Sequence, residues 1–293
     1  MLKLGIIGYP LEHSLSPVMH NAALQYLNVS GSYRAIEVTE NELEKVFNQL
    51  KDSGFKGFNV TIPHKITIIP FLDELSETAK LAGAVNTVTF KNDGKSLGEN
   101  TDVLGFWEAI PKDAKKEISK QSITLLGTGG SARAIGVALL KNNAKTVKIF
   151  GRNKEKLSSF IDFMESIKKL TDSKTIIKNG LISELDLTNT FMLINSTPLG
   201  MYPNIDASPA TKEELKKMMS NGIVYDIIFN PPQTLLLLQA RSIGLRTING
   251  TEMLIRQGAQ SLSIWLEQDV APVGVMRLAV YQSLEEAKAS KNL

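Results

Sequence analysis

Residues 122–152 read SITLLGTGGSARAIGVALLKNNAKTVKIFGR. The apolar run from Ile123 to Leu126 predicts a strand, and Gly127-Thr128-Gly129-Gly130-Ser131-Ala132 follows at once. That is the G-x-G-x-x-G/A spacing with which a strand turns tightly and starts a helix against a pyrophosphate. The helix predicted from Gly130 to about Lys141 offers unpaired N–H groups and the positive end of its dipole. Thr146 to Phe150 then reads as a second strand, completing a βαβ unit. NAD sites place an Asp or Glu about 20 residues on, against the ribose hydroxyls. Here the strand tip carries Gly151-Arg152-Asn153-Lys154, with no acid. A guanidinium matches a 2′-phosphate, so the tip reads as an NADP site. The bland alternatives are a tight βα connection and a solvated surface arginine. Strand, helix and basic tip together favour the dinucleotide.

Around this unit the composition is that of a globular α/β protein. The chain has 293 residues, room for two domains, with 43% hydrophobic and 22% charged residues. A net charge of +3 carried by dispersed lysines gives no support to nucleic-acid binding. With no cysteine there can be no disulfide, thiolate metal site or cysteine nucleophile. His13, His20 and His64 lack zinc-ligand spacing, so no metal is expected. No apolar run approaches membrane length, and a strand is predicted from Leu4 with no signal peptide ahead of it. The expectation is a cytoplasmic protein without membrane partners.

The residues before the glycine turn alternate strand and helix. Strands are predicted over Leu4–Ile7, Tyr33–Glu37, Gly57–Thr61 and Ala84–Phe90, the last leading to the turn Asn92-Asp93-Gly94. Helices are predicted over Pro17–Leu27, Asn41–Lys51, Lys65–Phe71 and Ser76–Leu81. Such alternation implies a mainly parallel sheet under helices. A charged stretch, Pro111–Gln121, introduces the second domain, with further strands near Lys174–Ile177, Phe191–Asn195, Ile223–Asp226 and Leu245–Ile248. Two final helices, Gly250–Glu267 and Val273–Lys288, have no sheet left to cover there and should return to the first domain. The prediction is therefore an α/β protein of two domains. A discontinuous, mainly parallel α/β domain, residues 1–102 plus 250–293, carries a doubly wound Rossmann-type domain, residues 103–249, as an insertion.

Two stretches of the first domain concentrate polar groups. In Gly8-Tyr9-Pro10-Leu11-Glu12-His13-Ser14-Leu15-Ser16-Pro17, Ser16 is placed to cap a helix with Pro17 at its first position. Ser14 and Ser16 either receive a carboxylate there or serve only the cap. His13 and His20 are expected to pack or hydrogen-bond rather than react. In Gly57-Phe58-Asn59-Val60-Thr61-Ile62-Pro63-His64-Lys65, Asn59 and Thr61 share one face at a strand's C-terminal end, where open α/β sheets bind ligands. Lys65 either snorkels to water or takes part in chemistry. Asn86 reads as a strand asparagine with an inward hydrogen bond, and Asp102 either caps the next helix or serves the site.

Taken in order, GYPLEHSLSPVMHN, GFNVTIPHK, GAVNTV, GENTD, GTGGSA, NSTPLGM and MLIRQGAQ resemble the shikimate dehydrogenase family over nearly the whole chain. The resemblance implies NADP-dependent interconversion of 3-dehydroshikimate and shikimate on the route to chorismate. It implies that Ser14 and Ser16 bind the substrate carboxylate, that Asn59, Thr61, Asn86, Asp102 and Gln257 bind ring hydroxyls, and that Lys65 is catalytic. It sets Gly127, Thr128, Gly129, Gly130, Ser131, Arg152, Asn153, Thr197, Ile227 and Gly250 along the cofactor. The residue chemistry agrees: Lys65 and Asp102 form an acid/base pair that holds a proton near the reacting oxygen. Two stretches depart from the family pattern. Gly151-Arg152-Asn153 stands where Asn-Arg-Thr is usual, and Phe229 replaces a tyrosine, so Phe229 shapes the substrate pocket but cannot donate. A quinate/shikimate dehydrogenase paralogue using NAD is the nearest alternative, with Glu155 the nearest acid to the strand tip. A non-catalytic NADP-binding sensor would be expected to lack Lys65 or Asp102. A monomer or homodimer is expected.

Overall fold

Residues 1–268 and 271–291 are described in the computed structural model. They fall into two units, Met1–Gly105 with Leu254–Leu293, and Phe106–Met253. The divisions lie a few residues past those drawn from the sequence, inside helices rather than at their ends.

The first unit begins with β1 (Leu2–Gly8), α1 (Ser16–Tyr26), β2 (Gly31–Glu37), α2 (Leu43–Asp52) and β3 (Gly57–Val60). It continues with β4 (Glu74–Leu75), α3 (Glu77–Ala82), β5 (Thr87–Phe90), β6 (Ser96–Glu99) and the start of α4 (Asp102–Ala109). Its six-stranded sheet has the order β2-β1-β3-β5-β6-β4. β1 pairs in parallel with β2 and β3, but β5 is antiparallel to both β3 and β6. β4 pairs in parallel with β6, so the sheet is mainly parallel with one antiparallel strand. The sequence reading placed the turn Asn92-Asp93-Gly94 but passed over β6, the second strand of the hairpin it closes. α2 buries Leu43, Phe47 and Leu50, one apolar stripe of a 3.6-residue period, against Phe58 and Phe90 of the sheet. α3 is capped at both ends: Ser76 accepts from Ala79 N, and Gly83 closes it at φ +53°.

Four local expectations fail. Lys65–Phe71 is a run of turns ending in a 3₁₀ turn at Ile69–Phe71, since Ile66, Thr67, Ile68 and Ile69 are β-branched or precede Pro70. Ser16 is not an N-cap but the first residue of α1, preceded by Leu15 with no side-chain cap. Asn86 precedes β5 instead of lying within it. The helix predicted over Asn41–Lys51 begins as a separate 3₁₀ turn, Glu40–Glu42, under a Thr39/Glu42 capping box.

The second unit holds the rest of α4, then α5 (Lys112–Ile118), β7 (Ser122–Leu126), α6 (Gly130–Lys141), β8 (Thr146–Gly151), α7 (Lys154–Leu170) and β9 (Ile176–Leu181). β10 (Thr190–Asn195), α8 (Lys212–Leu215), β11 (Ile223–Asp226), α9 (Leu235–Ser242) and β12 (Arg246–Ile248) complete its sheet layers. Every strand pairs in parallel, in the order β12-β11-β10-β7-β8-β9. Chain order reverses between β7 and β10, and ligands of doubly wound sheets lie at the carboxyl ends beside such a switch point. Leu126, Leu193 and Val224 from three neighbouring strands share a core with Leu236, Leu237 and Ala240 of α9.

The last two helices are α10 (Thr251–Leu266) and α11 (Val273–Lys291). α11 packs on α1. Trp265 of α10 is buried, donating its indole N–H to Val88 O at 3.0 Å. Gly57 makes room for it, since a Cβ there would stand 2.2 Å from Trp265 Nε1. Among the described residues no helix is long and apolar enough to cross a membrane.

Candidate active site

In the first unit the lysine is placed by backbone bonds. Thr61 N donates to Ile7 O at 2.9 Å, His64 N to Thr61 O at 2.9 Å, and Val85 N to Lys65 O at 2.7 Å. Buried His64 donates its Nε2 to Val38 O at 2.7 Å and ties the same loop to the end of β2. Lys65 Nζ then lies 2.5 Å from Asp102 Oδ2, with the two side chains 13% and 5% exposed. Asp102 opens α4, where the helix dipole favours a carboxylate. The helix-start bond comes instead from Asn100, whose Oδ1 accepts from Val103 N at 3.3 Å. Asp102 is therefore free of the capping duty that was its alternative reading.

Asn86 is the hub behind this pair. Its Nδ2 reaches Thr101 Oγ1 at 2.9 Å, Asp102 Oδ1 at 2.9 Å and Gln257 Oε1 at 3.1 Å. Its Oδ1 accepts from Thr101 N at 2.8 Å and from the Thr87 hydroxyl at 3.1 Å. Below it, the hydroxyls of Thr87 and Ser261 lie 2.8 Å apart. Asn59 Nδ2 faces Ser261 Oγ at 2.9 Å, Asn86 O at 3.0 Å and Thr87 Oγ1 at 3.1 Å, and its Oδ1 accepts from Tyr33 OH at 2.7 Å. An amide has only two N–H donors, so those of Asn59 are committed inside this network, while its Oδ1 keeps a second lone pair.

Ser16 is buried and hydrogen-bonds Tyr33, whose hydroxyl burial holds well above the ordinary phenol range. Ser14 is half-buried, its Oγ accepting weakly from Ser16 N at 3.4 Å. Glu37 steadies the approach by accepting from Leu11 N at 2.9 Å. His20 stacks on Tyr33 at 4.2 Å, and burial pulls its imidazole down to about 3, so it stays neutral. Gln257 is anchored within α10 by a 2.8 Å bond from Nε2 to Leu254 O.

The second unit builds its candidate site from backbone. Gly127 has φ +110°, and a Cβ there would lie 2.6 Å from Ser196 Oγ, so the turn admits only glycine. A Cβ on Gly129 would meet nothing within 4 Å, which leaves the approach to the start of α6 open. Gly129 is the N-cap of this helix, and no side chain caps it. The N–H groups there suit a pyrophosphate. Arg152 is exposed at the end of β8 and forms no ion pair among the described residues. Asn153 has a second duty, for its Oδ1 caps α7 by accepting from Lys156 N at 2.8 Å. Glu155 lies in the first turn of α7. At Gly250 a Cβ would stand 1.8 Å from Ile227 O, so these two backbones are in direct contact. Phe229 is half-buried between β11 and α9.

The sequence reading missed Tyr33, Thr87, Thr101 and Ser261, and in the second unit Asn195 and Asp226. A signal was present for the last two, each a lone polar residue ending an apolar strand, FMLIN and IVYD.

Residues 6–88 match the model of a shikimate dehydrogenase substrate binding domain. The NADP(+) shikimate dehydrogenase of Gloeothece citriformis is 44% identical over 275 residues, covering 93% of each chain. A solved shikimate dehydrogenase in complex with NADP+ superposes with a TM-score of 0.84 at 37% identity, over 97% of this chain and 96% of that one. The shikimate 5-dehydrogenase of Listeria monocytogenes, in complex with shikimate and NAD, gives 0.81 at 30% identity over 94% and 95%.

Proposed function

The chain belongs to the shikimate dehydrogenase family of NADP-dependent oxidoreductases, and from that premise we propose that it reduces 3-dehydroshikimate to shikimate with NADPH, reversibly, as a step towards chorismate. The observation that carries the reading is the largely buried Lys65–Asp102 pair at 2.5 Å, hung on Asn86. We assign the substrate to the unit of residues 1–102 and 250–293, and the cofactor to the insertion 103–249.

Ser14 and Ser16 take the substrate carboxylate, and Thr61, Asn86, Asp102 and Gln257 take its hydroxyls. Bound NADPH supplies the hydride that the carbonyl carbon accepts. Lys65, as an ammonium, delivers the matching proton to the carbonyl oxygen; in the oxidative direction it removes that proton. Asp102 orients the ammonium and stabilises its charge. Gly127, Thr128, Gly129, Gly130 and Ser131 would hold the pyrophosphate, Arg152 the 2′-phosphate, and Thr197, Ile227 and Gly250 the rest of the cofactor. The enzyme works in the cytoplasm as a monomer or homodimer.

A second reading, a quinate/shikimate paralogue using NAD, is favoured by one observation: Gly151 offers no side chain to the adenosine and Asn153 is committed to its helix cap. Absorbance of NADPH and NADH, followed with shikimate and quinate against each cofactor, separates the two. Turnover of shikimate with NADP at least tenfold faster than any other pairing is expected. Equal use of NAD and quinate would favour the paralogue, and no turnover of any pairing would end both readings.

A further inference from the structure

Asn195 and Asp226 end neighbouring strands β10 and β11, directly paired in register, at the carboxyl edge beside the switch point of the second sheet. Both are fully buried. Asn195 has no bonding capacity left over. Its Oδ1 accepts from Thr197 N at 3.0 Å and Thr197 Oγ1 at 2.7 Å; its Nδ2 donates to Leu199 O at 3.2 Å and Asp226 Oδ1 at 3.0 Å. Because Thr197 N can only donate, the orientation of the amide is fixed. Asp226 completes the connection. Its Oδ1 also accepts from Ile228 N at 3.1 Å, and its Oδ2 accepts from Thr234 Oγ1 at 2.7 Å. Thr234 in turn caps α9. Two side chains therefore set the course of both loops that leave these strands, 196–200 and 227–234. The second of these loops is clamped again where Ile227 meets Gly250.

We propose that Asn195 and Asp226 form a latch that holds Thr197 and Ile227 in the geometry the nicotinamide cofactor requires, making both positioning residues for cofactor binding. The inference rests on the assignment of the cofactor to this unit. It adds two residues that touch no ligand and a mechanism by which two separate loops act together. The burial of a carboxylate here is costly, lifting its pKa to about 6. Such a group is kept where its bonds are needed, and each bond to the ionised form is shorter and stronger than to a neutral oxygen.

The latch acts on cofactor placement in general and not on the 2′-phosphate. Asn195→Ala and Asp226→Ala should therefore weaken NADP and NAD by the same factor, about tenfold or more. Titration calorimetry on the full chain with NADP, NAD and shikimate separately reads this, and shikimate affinity should stay at the wild-type value. Asp226→Asn keeps an oxygen for Asn195 and Ile228 N and an N–H for Thr234, so it should hold cofactor within about threefold of wild type. Should the alanine variants not fold, Asn195→Ser takes their place, its shorter side chain being unable to span Thr197 and Asp226 together. Loss of thermal stability with unchanged NADP and NAD affinity would overturn the latch, leaving a structural node only. Failure of the wild-type protein to bind either dinucleotide would instead overturn the cofactor assignment on which it rests.

Discussion

The two candidate sites are built by opposite means. In the first unit, side chains from far apart in the chain converge: Asn86 meets Gln257, 171 residues on, and Thr87 meets Ser261, 174 residues on. In the second, the glycine turn is one unbroken stretch of backbone between β7 and α6, held from the side by a 2.6 Å bond from Ser196 Oγ to Leu126 O and from behind by the latch. Backbone suits a cofactor whose phosphates need only N–H groups and a dipole. A small polyhydroxylated acid needs donors and acceptors set one by one, and their alternatives must be removed by burial. The difference predicts that the loss of a single side chain costs most in the first site and less at the edge of the second.

The largest effect should come from Lys65. Lys65→Ala should lower turnover by about 10²–10⁴-fold, the usual worth of a positioned general acid/base. Shikimate affinity, measured apart from turnover, should change little, because the serines and amides remain. Wild-type turnover with weakened binding would make Lys65 an anchor and remove the acid/base pair from the mechanism.

Asn86 comes next, through stability. Asn86→Ala leaves Thr101 N and the Gln257 and Asp102 oxygens without their partner in a buried place. Unmade buried bonds cost about 1–3 kcal/mol each, so a total near 3 kcal/mol is expected in urea unfolding. A loss under about 1 kcal/mol would mean that neighbouring hydroxyls re-form the network, and the side-chain-built character of this site would be overstated.

How much of this contrast could be read from the sequence follows from the same difference. The βαβ unit was legible because strand, turn and helix signals adjoin, and α6 spans Gly130–Lys141 as read. Lys65 and Asp102 were legible as chemistry, but nothing local shows that they meet. Tyr33, Thr87, Thr101 and Ser261 look like ordinary strand and helix residues, and only tertiary folding brings them together. Where local patterns did mislead, a competing preference was at work: the isoleucine-rich run after Lys65 has helical spacing, yet β-branching and Pro70 turn it into a chain of bends. The helix start at Ser16 was misplaced by one residue because a serine before a proline mimics a cap.

The hubs also differ in charge, which gives a pH test. Asn86 is neutral, whereas burial lifts Asp226 to about 6 from 3.8, with Thr234, Ile228 N and Asn195 opposing. The folded state thus holds the proton more tightly than the unfolded chain. Between these values stability falls as pH rises, by up to roughly 3 kcal/mol, and no further above them. Asp226→Asn removes this slope, so the variant's stability relative to wild type should climb between pH 4 and about pH 6, then level off. A flat difference across that range would place the Asp226 carboxyl in a more polar setting than its burial implies.

At the edge of the second site, Arg152→Ala should raise the NADP dissociation constant by about ten- to a hundredfold, the worth of a charge-assisted contact of roughly 1.5–3 kcal/mol. NAD affinity should hardly move, in contrast to the latch variants. Equal weakening of both cofactors would show that Arg152 supports the loop instead of reading the phosphate.

Asn153 is expected to matter least, and it sharpens the comparison most, because the resemblance sets it on the cofactor while its oxygen is engaged in capping α7. An N-cap is worth about 1 kcal/mol. Asn153→Ala should therefore cost about that much stability, with NADP affinity within about threefold of wild type. Asn153→Asp separates the two duties. A carboxylate caps as well as an amide and favours the helix dipole, so stability should return. Yet a negative charge beside Arg152 competes for the guanidinium and repels a 2′-phosphate, so the preference for NADP over NAD should fall. Stability untouched by Asn153→Ala, with NADP weakened tenfold or more, would show that the side chain leaves its helix to serve the cofactor. The edge of this site would then depend on side chains as the first site does.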